Sequence, residues 1–445
     1  MISGIKSGMV MQRGIDNTCK VFIETDEKIT AVSCFDKEGK NYDVKIVKNV
    51  LTGIPVGGPY SLFINSEIYN NIYVGDVWIL AGQSNMEGHG RLSQEDKFYK
   101  KNPNIRCFYM DDHWDSAKNP IHQIEIAVDR VHMDKLNGIP MEEGKGISPG
   151  LPFAIRMYEL TGIPQGVIPC AHGGTVQEHW DPNLKALGGD GSLFGAMLRR
   201  FKVNGSHVRG VFWFQGCSDA WKPQAPLYLE RCTYLFNEMR ADMGTCPEEG
   251  VLPIVQVQIG RWLDYPEGDP NLPEFYWPYI RNVQLEMPKK IERLDTVASL
   301  CFSYSDGIHL DSPSQHKVGK KAADAMFNLI EPEKAKKKGI LPGIKIDSIE
   351  KDDDGVTVRF LNNDGDLKAT PVAKVFSLVK KDDFKSGRII PCKAYVKKNE
   401  IRIMYGAECD NIKDYDLYYG FGMNPESNIT DEAGNALPGF GPISL

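Results

Sequence analysis

The chain has 445 residues, a formal charge of −7, 42% hydrophobic and 25% charged residues. That length exceeds one ordinary hydrophobic core and implies two or three domains of a globular protein. The acidic balance argues against nucleic acid as a partner. No stretch approaches the roughly 20 apolar residues of a membrane span. The ten cysteines include no CxxC pair, the spacing that would suggest a zinc ribbon. The first residues, MISGIKSGMVMQRG, carry no signal-peptide pattern, so a cytoplasmic location with reduced cysteines is the expectation.

Residues 1–75 carry β patterning. Short β-rich runs at Lys20–Glu24, Ile29–Phe35, Tyr42–Val47, Ser61–Asn65 and Asn71–Val74 are separated by turn residues, and Gly53–Tyr60 reads as a glycine–proline loop. From residue 76 the pattern changes. Apolar strand candidates at Val77–Ala81, Gly166–Cys170, Val211–Phe214, Ile254–Ile259 and Thr296–Phe302 alternate with helical stretches at Pro152–Thr161, Leu193–Val203, Ala225–Met243 and Pro273–Met287. A last helix is expected over Pro313–Ile330, with Ser312 as its cap and Pro313 at its first position. Such alternation predicts a parallel sheet covered on both faces, with ligands at the carboxyl ends of its strands. Glu331–Gly343 reads as a linker whose lysine run is a solvated face. Residues 344–445 return to β patterning, at Ile344–Ile349, Val356–Phe360, Val375–Val379, Ile401–Tyr405 and Asp416–Tyr419. The expected organisation is an N-terminal β region over 1–75, an α/β domain over 76–335 and a C-terminal β domain over 344–445, the two β regions packing together or against the centre.

The unusual residues sort onto this alternation. Gly82, Gln83, Ser84, Asn85 and Met86 follow the first α/β strand, and a glycine then a serine at a strand end is a way to turn sharply and expose a hydroxyl. On this stretch alone Ser84 serves equally as a helix cap. His172, Gly173, Gly174 and Thr175 follow the second strand, Gln215 to Asp219 the third, and Asp306, Gly307, Ile308 and His309 the fifth. Four such clusters beyond strand ends place chemistry on one rim. A serine needs a base to remove its proton. Asp306 precedes His309 by three residues, a spacing at which the carboxylate can reach the far ring nitrogen and fix the tautomer. The N–H groups of Ser84 and Gly174 and the side-chain amide of Gln215 are candidate donors to an oxyanion.

These blocks, with Met9 to Arg13, Gly57 to Tyr60 and Gly75 to Trp78, resemble the SGNH hydrolases, and specifically their sialate O-acetylesterase-like branch of carbohydrate acetylesterases. The resemblance covers most of residues 1–330. It implies a flavodoxin-like three-layer α/β/α domain with a parallel sheet, flanked here by N- and C-terminal β regions. It also implies Ser84 as nucleophile, Asp306 and His309 as the acid–base pair, Gly174 and Gln215 in the oxyanion hole, and no metal or organic cofactor. One position departs from the family. Where Gln-Gly-Glu is usual, this chain has Gln215, Gly216 and Cys217, which leaves the native substrate open.

Aromatic residues near the rim suit sugar faces, with Trp180 and Trp262 in loops and Trp213 inside a strand, where packing is the better reading. Gln83, His172, Trp180, Asp219 and Trp262 are the expected substrate contacts. The histidines show no paired metal-ligand spacing. The expected activity is removal of O-acetyl groups from sialic acid or plant oligosaccharides, with an acetylated sugar as partner and neither nucleic acid nor membrane. A carbohydrate-binding protein on an inactive esterase scaffold is the alternative, motivated by the aromatics, the flanking β regions and Cys217.

Overall fold

The structure is a computed structural model that describes residues 2–133, 146–266, 275–370, 372–381, 389–405 and 411–445. It divides into two compact units. One comprises Met1–Trp213 with Arg231–Ile254, the other Phe214–Glu230 with Val255–Leu445.

The first unit is built on a single 16-residue strand, β1 (Glu67–Gly82). The expected short strands at Asn71–Val74 and Val77–Ala81 are parts of it. Its outer half pairs antiparallel with Gly57–Ile64, and Val10–Gln12 lies parallel to it against Tyr73, Val74 and Gly75. Its inner half is buried on both faces, as a strand inside a parallel sheet must be. There it is flanked by β4 (Gln165–Pro169), which runs parallel with Asp76 opposite Gln165 and Leu80 opposite Pro169. Outward from β4 come β2 (Ile105–Phe108), parallel, and β3 (Trp114–Ser116), antiparallel. On the other side of β1 lies β5 (Gly210–Phe214). β2 and β3 escaped the sequence reading, because four and three residues are too short for a period to register.

Helices cover this sheet where the apolar spacing predicts them, at Gly150–Thr161 and Leu193–Val203. A third spans Tyr228–Met243, and the expected start at Ala225 is a 3₁₀ turn over Ala225–Leu227. The glycine–proline stretch Gly53–Tyr60 is not a loop. Strands Val50–Pro55 and Gly57–Ile64 run through it. Its glycines permit close backbone approach rather than a turn: a Cβ on Gly53 would lie 2.2 Å from the Asp43 carbonyl oxygen.

In the second unit β6 (Ile254–Gln258) and β7 (Leu294–Ala298) are neighbours. Between them helix Tyr276–Glu286 falls in the span expected from Pro273, whose first two residues lie outside the described set. The helix after β7 covers Ser312–Ile330. Its cap is Asp311 and not Ser312, since the Asp311 carboxylate accepts the Ser314 amide at 3.0 Å, which moves Pro313 to the second helical position. Part of the expected linker is a short helix, Pro332–Lys338, held by the fully buried Ala335 while its lysines are exposed. Beyond it stand two four-stranded sheets. One is ordered Lys345–Lys351, Gly355–Leu361, Glu400–Met404, Lys393–Lys397. The other is ordered Ile389–Pro391, Phe376–Lys380, Tyr415–Tyr419, Phe440–Ser444. Their core residues Val358, Phe376, Leu417 and Phe440 share one apolar cluster with Leu285 and Leu300.

Arg281 ties the same parts together. Its buried guanidinium donates to the carbonyls of Gly260, Gly420, Gly422 and Met423. Burial pulls its pKa down to about 10. No described helix is long and apolar enough to cross a membrane.

Candidate active site

The site residues fall into two local constellations, one in each unit. In the first, β1 ends at Gly82 with φ of +133°, a conformation open to glycine, and the chain turns at once into a helical turn over Ser84–Glu87. The N-cap position belongs to Gln83, which makes no side-chain cap bond, and Ser84 is the first helical residue. The capping role for Ser84 is therefore removed. Its side chain stands at a buried turn, 6% exposed, for which capping gives no reason. Gln83 is also buried, and its carbonyl accepts the Met86 and Glu87 amides.

The loop after β4 packs on this turn. A Cβ on Gly173 would lie 3.5 Å from Ser84 Cβ and 2.7 Å from Glu87 Oε2, so only glycine lets the two segments meet. The Gly173 N–H donates to Glu87 Oε2 at 2.5 Å, and the His172 N–H donates to the Gly82 carbonyl at 3.0 Å. Gly174 follows with φ of +69°. Ser84 and the glycine pair are thus neighbours. Glu87, fully buried, is the group that holds them. The sequence reading missed it. Its signal was an acidic residue one helical turn after Ser84, in an otherwise apolar and glycine-rich stretch.

His172 is 4% exposed, and its Nδ1 lies 3.1 Å from Nδ1 of His132. Burial, then the neighbouring His172, lowers the pKa of His132 well below 6.5, so His132 is neutral. Trp180, expected to touch substrate, does not reach a surface. It is 0% exposed, its indole N–H donates to Thr175 Oγ1 at 3.1 Å, and its ring stands edge-on to Trp213 at 5.2 Å. Its large apolar body is core, and its one polar atom fixes the glycine loop. Trp213 is likewise fully buried within β5.

In the second unit Gln215 follows β5. The hydroxyl of Tyr228 and Nε2 of Gln284 donate to its backbone carbonyl at 3.0 and 2.9 Å. Its own Nε2 donates to Asp219 Oδ2. Both Gln215 and Asp219 are 0% exposed, so Asp219 meets the glutamine and not a solvent-facing pocket wall. Gly216 takes φ of +145°, and a Cβ there would sit 2.8 Å from Gln284 Nε2. Burial pushes the Cys217 thiol up to about 12, which leaves it protonated and poorly suited to attack.

The Asp306–His309 turn closes on itself. Asp306 Oδ1 accepts the amides of Ile308 and His309 at 2.9 and 2.8 Å, and Oδ2 lies 2.8 Å from His309 Nδ1. Burial opposes ionisation of Asp306, yet these amides and the His309 ring hold its carboxyl below the usual range. A charged Asp306 favours the proton of His309 on Nδ1 and leaves Nε2 unprotonated.

Gly307 between them is dictated by a neighbour. A Cβ there would lie 1.7 Å from Asp264 Oδ1. The Leu263 N–H donates to the Gly307 carbonyl at 2.6 Å, and the half-buried Trp262 donates its indole N–H to Asp264 Oδ1 at 2.9 Å. Trp262 is therefore one residue from a segment bonded to the histidine turn. Its ring lies 6.0 Å from that of Trp277.

Among the described residues one group has metal-ligand character, His207, Cys246 and Glu249, whose ligand atoms lie within 4.8 Å of one another. His207 Nδ1 meets the Lys20 carbonyl at 2.9 Å, Nε2 meets Glu249 Oε1 at 2.9 Å, and Arg209 donates to Glu249 Oε2 at 3.0 Å. Both ring nitrogens and both carboxylate oxygens are engaged, as in an imidazolium–carboxylate pair complete without an ion.

Comparison with known proteins places the chain in a family. The profile of the family described as carbohydrate esterase, sialic acid-specific acetylesterase matches residues 74–328. A probable carbohydrate esterase of Arabidopsis thaliana is 26% identical over 284 residues, which span 59% of this chain and 94% of that protein. The crystal structure of a carbohydrate acetylesterase from Xanthomonas citri superposes with a TM-score of 0.72 at 19% identity, covering 98% of both chains. That likeness establishes the fold, an α/β architecture carrying additional β sheets. With the family profile spanning more than half its length, the chain belongs to the sialic acid-specific acetylesterase family of carbohydrate esterases, and it is a carboxylic ester hydrolase.

Proposed function

We propose that the chain removes O-acetyl groups from acetylated sialic acid or plant oligosaccharides through an acetyl-enzyme on Ser84. In this reading Ser84 Oγ attacks the acetyl carbonyl while His309 Nε2 takes its proton. The oxyanion is held by the N–H groups of Ser84 and Gly174 and by the amide of Gln215. Collapse of the intermediate breaks the bond to the sugar oxygen, which leaves with the proton from His309. Water then attacks the acetyl-enzyme with His309 again as base, and acetate departs. Asp306 stays ionised throughout and stabilises the imidazolium.

The observation that carries this reading is the closed Asp306–His309 turn, in which two backbone amides and the ring engage one carboxylate. Gln83, His172 and Trp262 remain the candidate sugar contacts. Trp262 is the best supported, a half-buried indole beside the segment bonded to Gly307.

The test is hydrolysis of a small acetyl ester. Ser84→Ala and His309→Ala should each lower kcat by roughly three orders of magnitude or more, because the pair acts as a unit. Wild-type turnover in purified Ser84→Ala would sink the proposal, as would a serine-directed phosphonate that labels Cys217 and not Ser84. Acetate release from acetylated xylan, mannan and pectin oligosaccharides and from acetylated sialic acid then ranks the substrates.

A further inference from the structure

We propose that Asp219 is a positioning residue that sets the orientation of the Gln215 amide for catalysis; this rests on the assignment of Gln215 to the oxyanion hole. A glutamine side chain ends in an acceptor and a donor of nearly equal shape, and only the nitrogen helps an oxyanion. Left to itself, a terminal amide samples broad torsions. A carboxylate can only accept, so its contact with Nε2 selects the orientation that keeps the nitrogen on Asp219. The backbone of Gln215 is pinned as well, through the Tyr228 hydroxyl and the Gln284 amide on its carbonyl. The Gln284 amide also donates to the Tyr228 hydroxyl, at 3.0 Å, and Gln284 Oε1 accepts the Ile259 N–H at 2.9 Å. With Gly216 closing over Gln284, the glutamine is constrained at both ends of its side chain.

The effect of Asp219 is one of geometry and not of charge. An amide nitrogen has two N–H bonds, and giving one to an anion makes the other a slightly poorer donor. A negative residue here would therefore not be favoured for its field, since the reaction builds negative charge nearby. Its value lies in holding the donor still before the charge develops, which lowers the reorganisation needed in the transition state.

The experiment is a double-mutant cycle on a small acetyl ester, with melting curves on every variant. Gln215→Ala should lower kcat by about 10²–10³-fold, the range for one lost donor. Asp219→Leu, close to isosteric and unable to accept, should lower kcat by about tenfold or more with KM little changed, and Asp219→Asn, which can still accept, should lose less. In the Gln215→Ala background, Asp219→Leu should cost less than about threefold, because there is no amide left to orient. Equal losses in both backgrounds at unchanged melting temperature would overturn the positioning role, as would a rise in KM alone, which marks a substrate contact. Should Asp219→Leu fail to fold, Asp219→Ser supplies a weaker acceptor in the same cycle and the same comparison decides. Wild-type kcat in Gln215→Ala would overturn the oxyanion assignment itself, and this proposal with it.

Discussion

At the scale of single residues, the parts of the site legible in the sequence are those joined by short spacings. Asp306 and His309 are three apart, and their hydrogen bond follows from that spacing. The serine after Gly82 was legible because a glycine at a strand end implies a turn. Glu87 was not, because its partner Gly173 lies 86 residues away, and only the fold shows that a carboxylate holds the glycine loop. Trp180 was misread for a different reason. An indole suits a sugar face and a core equally, and the burial against Trp213 that decides between them is made only in the folded chain. The crowding at Gly307 was not legible either: a Cβ there would meet the Asp264 carboxylate, which also bonds the Trp262 indole. Gly307→Ala should therefore displace the turn that carries His309. We expect kcat to fall by about tenfold or more, since a shift of roughly 1 Å can cost about 10². Adding Asp264→Ala should restore much of that loss by vacating the space. A double variant no better than Gly307→Ala alone would show that the clash is not the cause.

At the scale of elements, the alternation of strands and helices was legible, since the strands buried on both faces read as apolar runs. What stayed hidden were contacts made by loops at the other ends of those strands. His207, just before β5, is one. Burial opposes its charge, yet bonds to Cys246 and Glu249 push its pKa up to about 9. In the unfolded chain an imidazole titrates near the ordinary value of about 6.5. The pair therefore contributes its full stability below about pH 6.5 and loses it as the pH rises through about 9. The loss should amount to about 3 kcal/mol at most. Urea denaturation at about pH 6 and about pH 10 should show the wild type more stable than His207→Gln at the lower pH and nearly level with it at the higher. A gap independent of pH would mean that His207 acts by packing alone.

At the scale of the whole chain, Arg281 carries consequences out of proportion to its size. Replacing it with methionine leaves the carbonyls of Gly260, Gly420, Gly422 and Met423 without its five hydrogen bonds. Unsatisfied buried groups cost about 1–3 kcal/mol each, so Arg281→Met should lower unfolding stability by at least about 3 kcal/mol. An unchanged urea midpoint would refute that. Every acceptor it uses is a backbone oxygen. Such an anchor is indifferent to which side chains its partners carry, so the C-terminal segment can drift in sequence while its attachment persists. For inheritance, the consequence is that exchanging the C-terminal sheets by recombination would carry a cost. A transplanted sheet would have to present several carbonyls to one guanidinium at once, whereas gradual substitution never has to break that attachment.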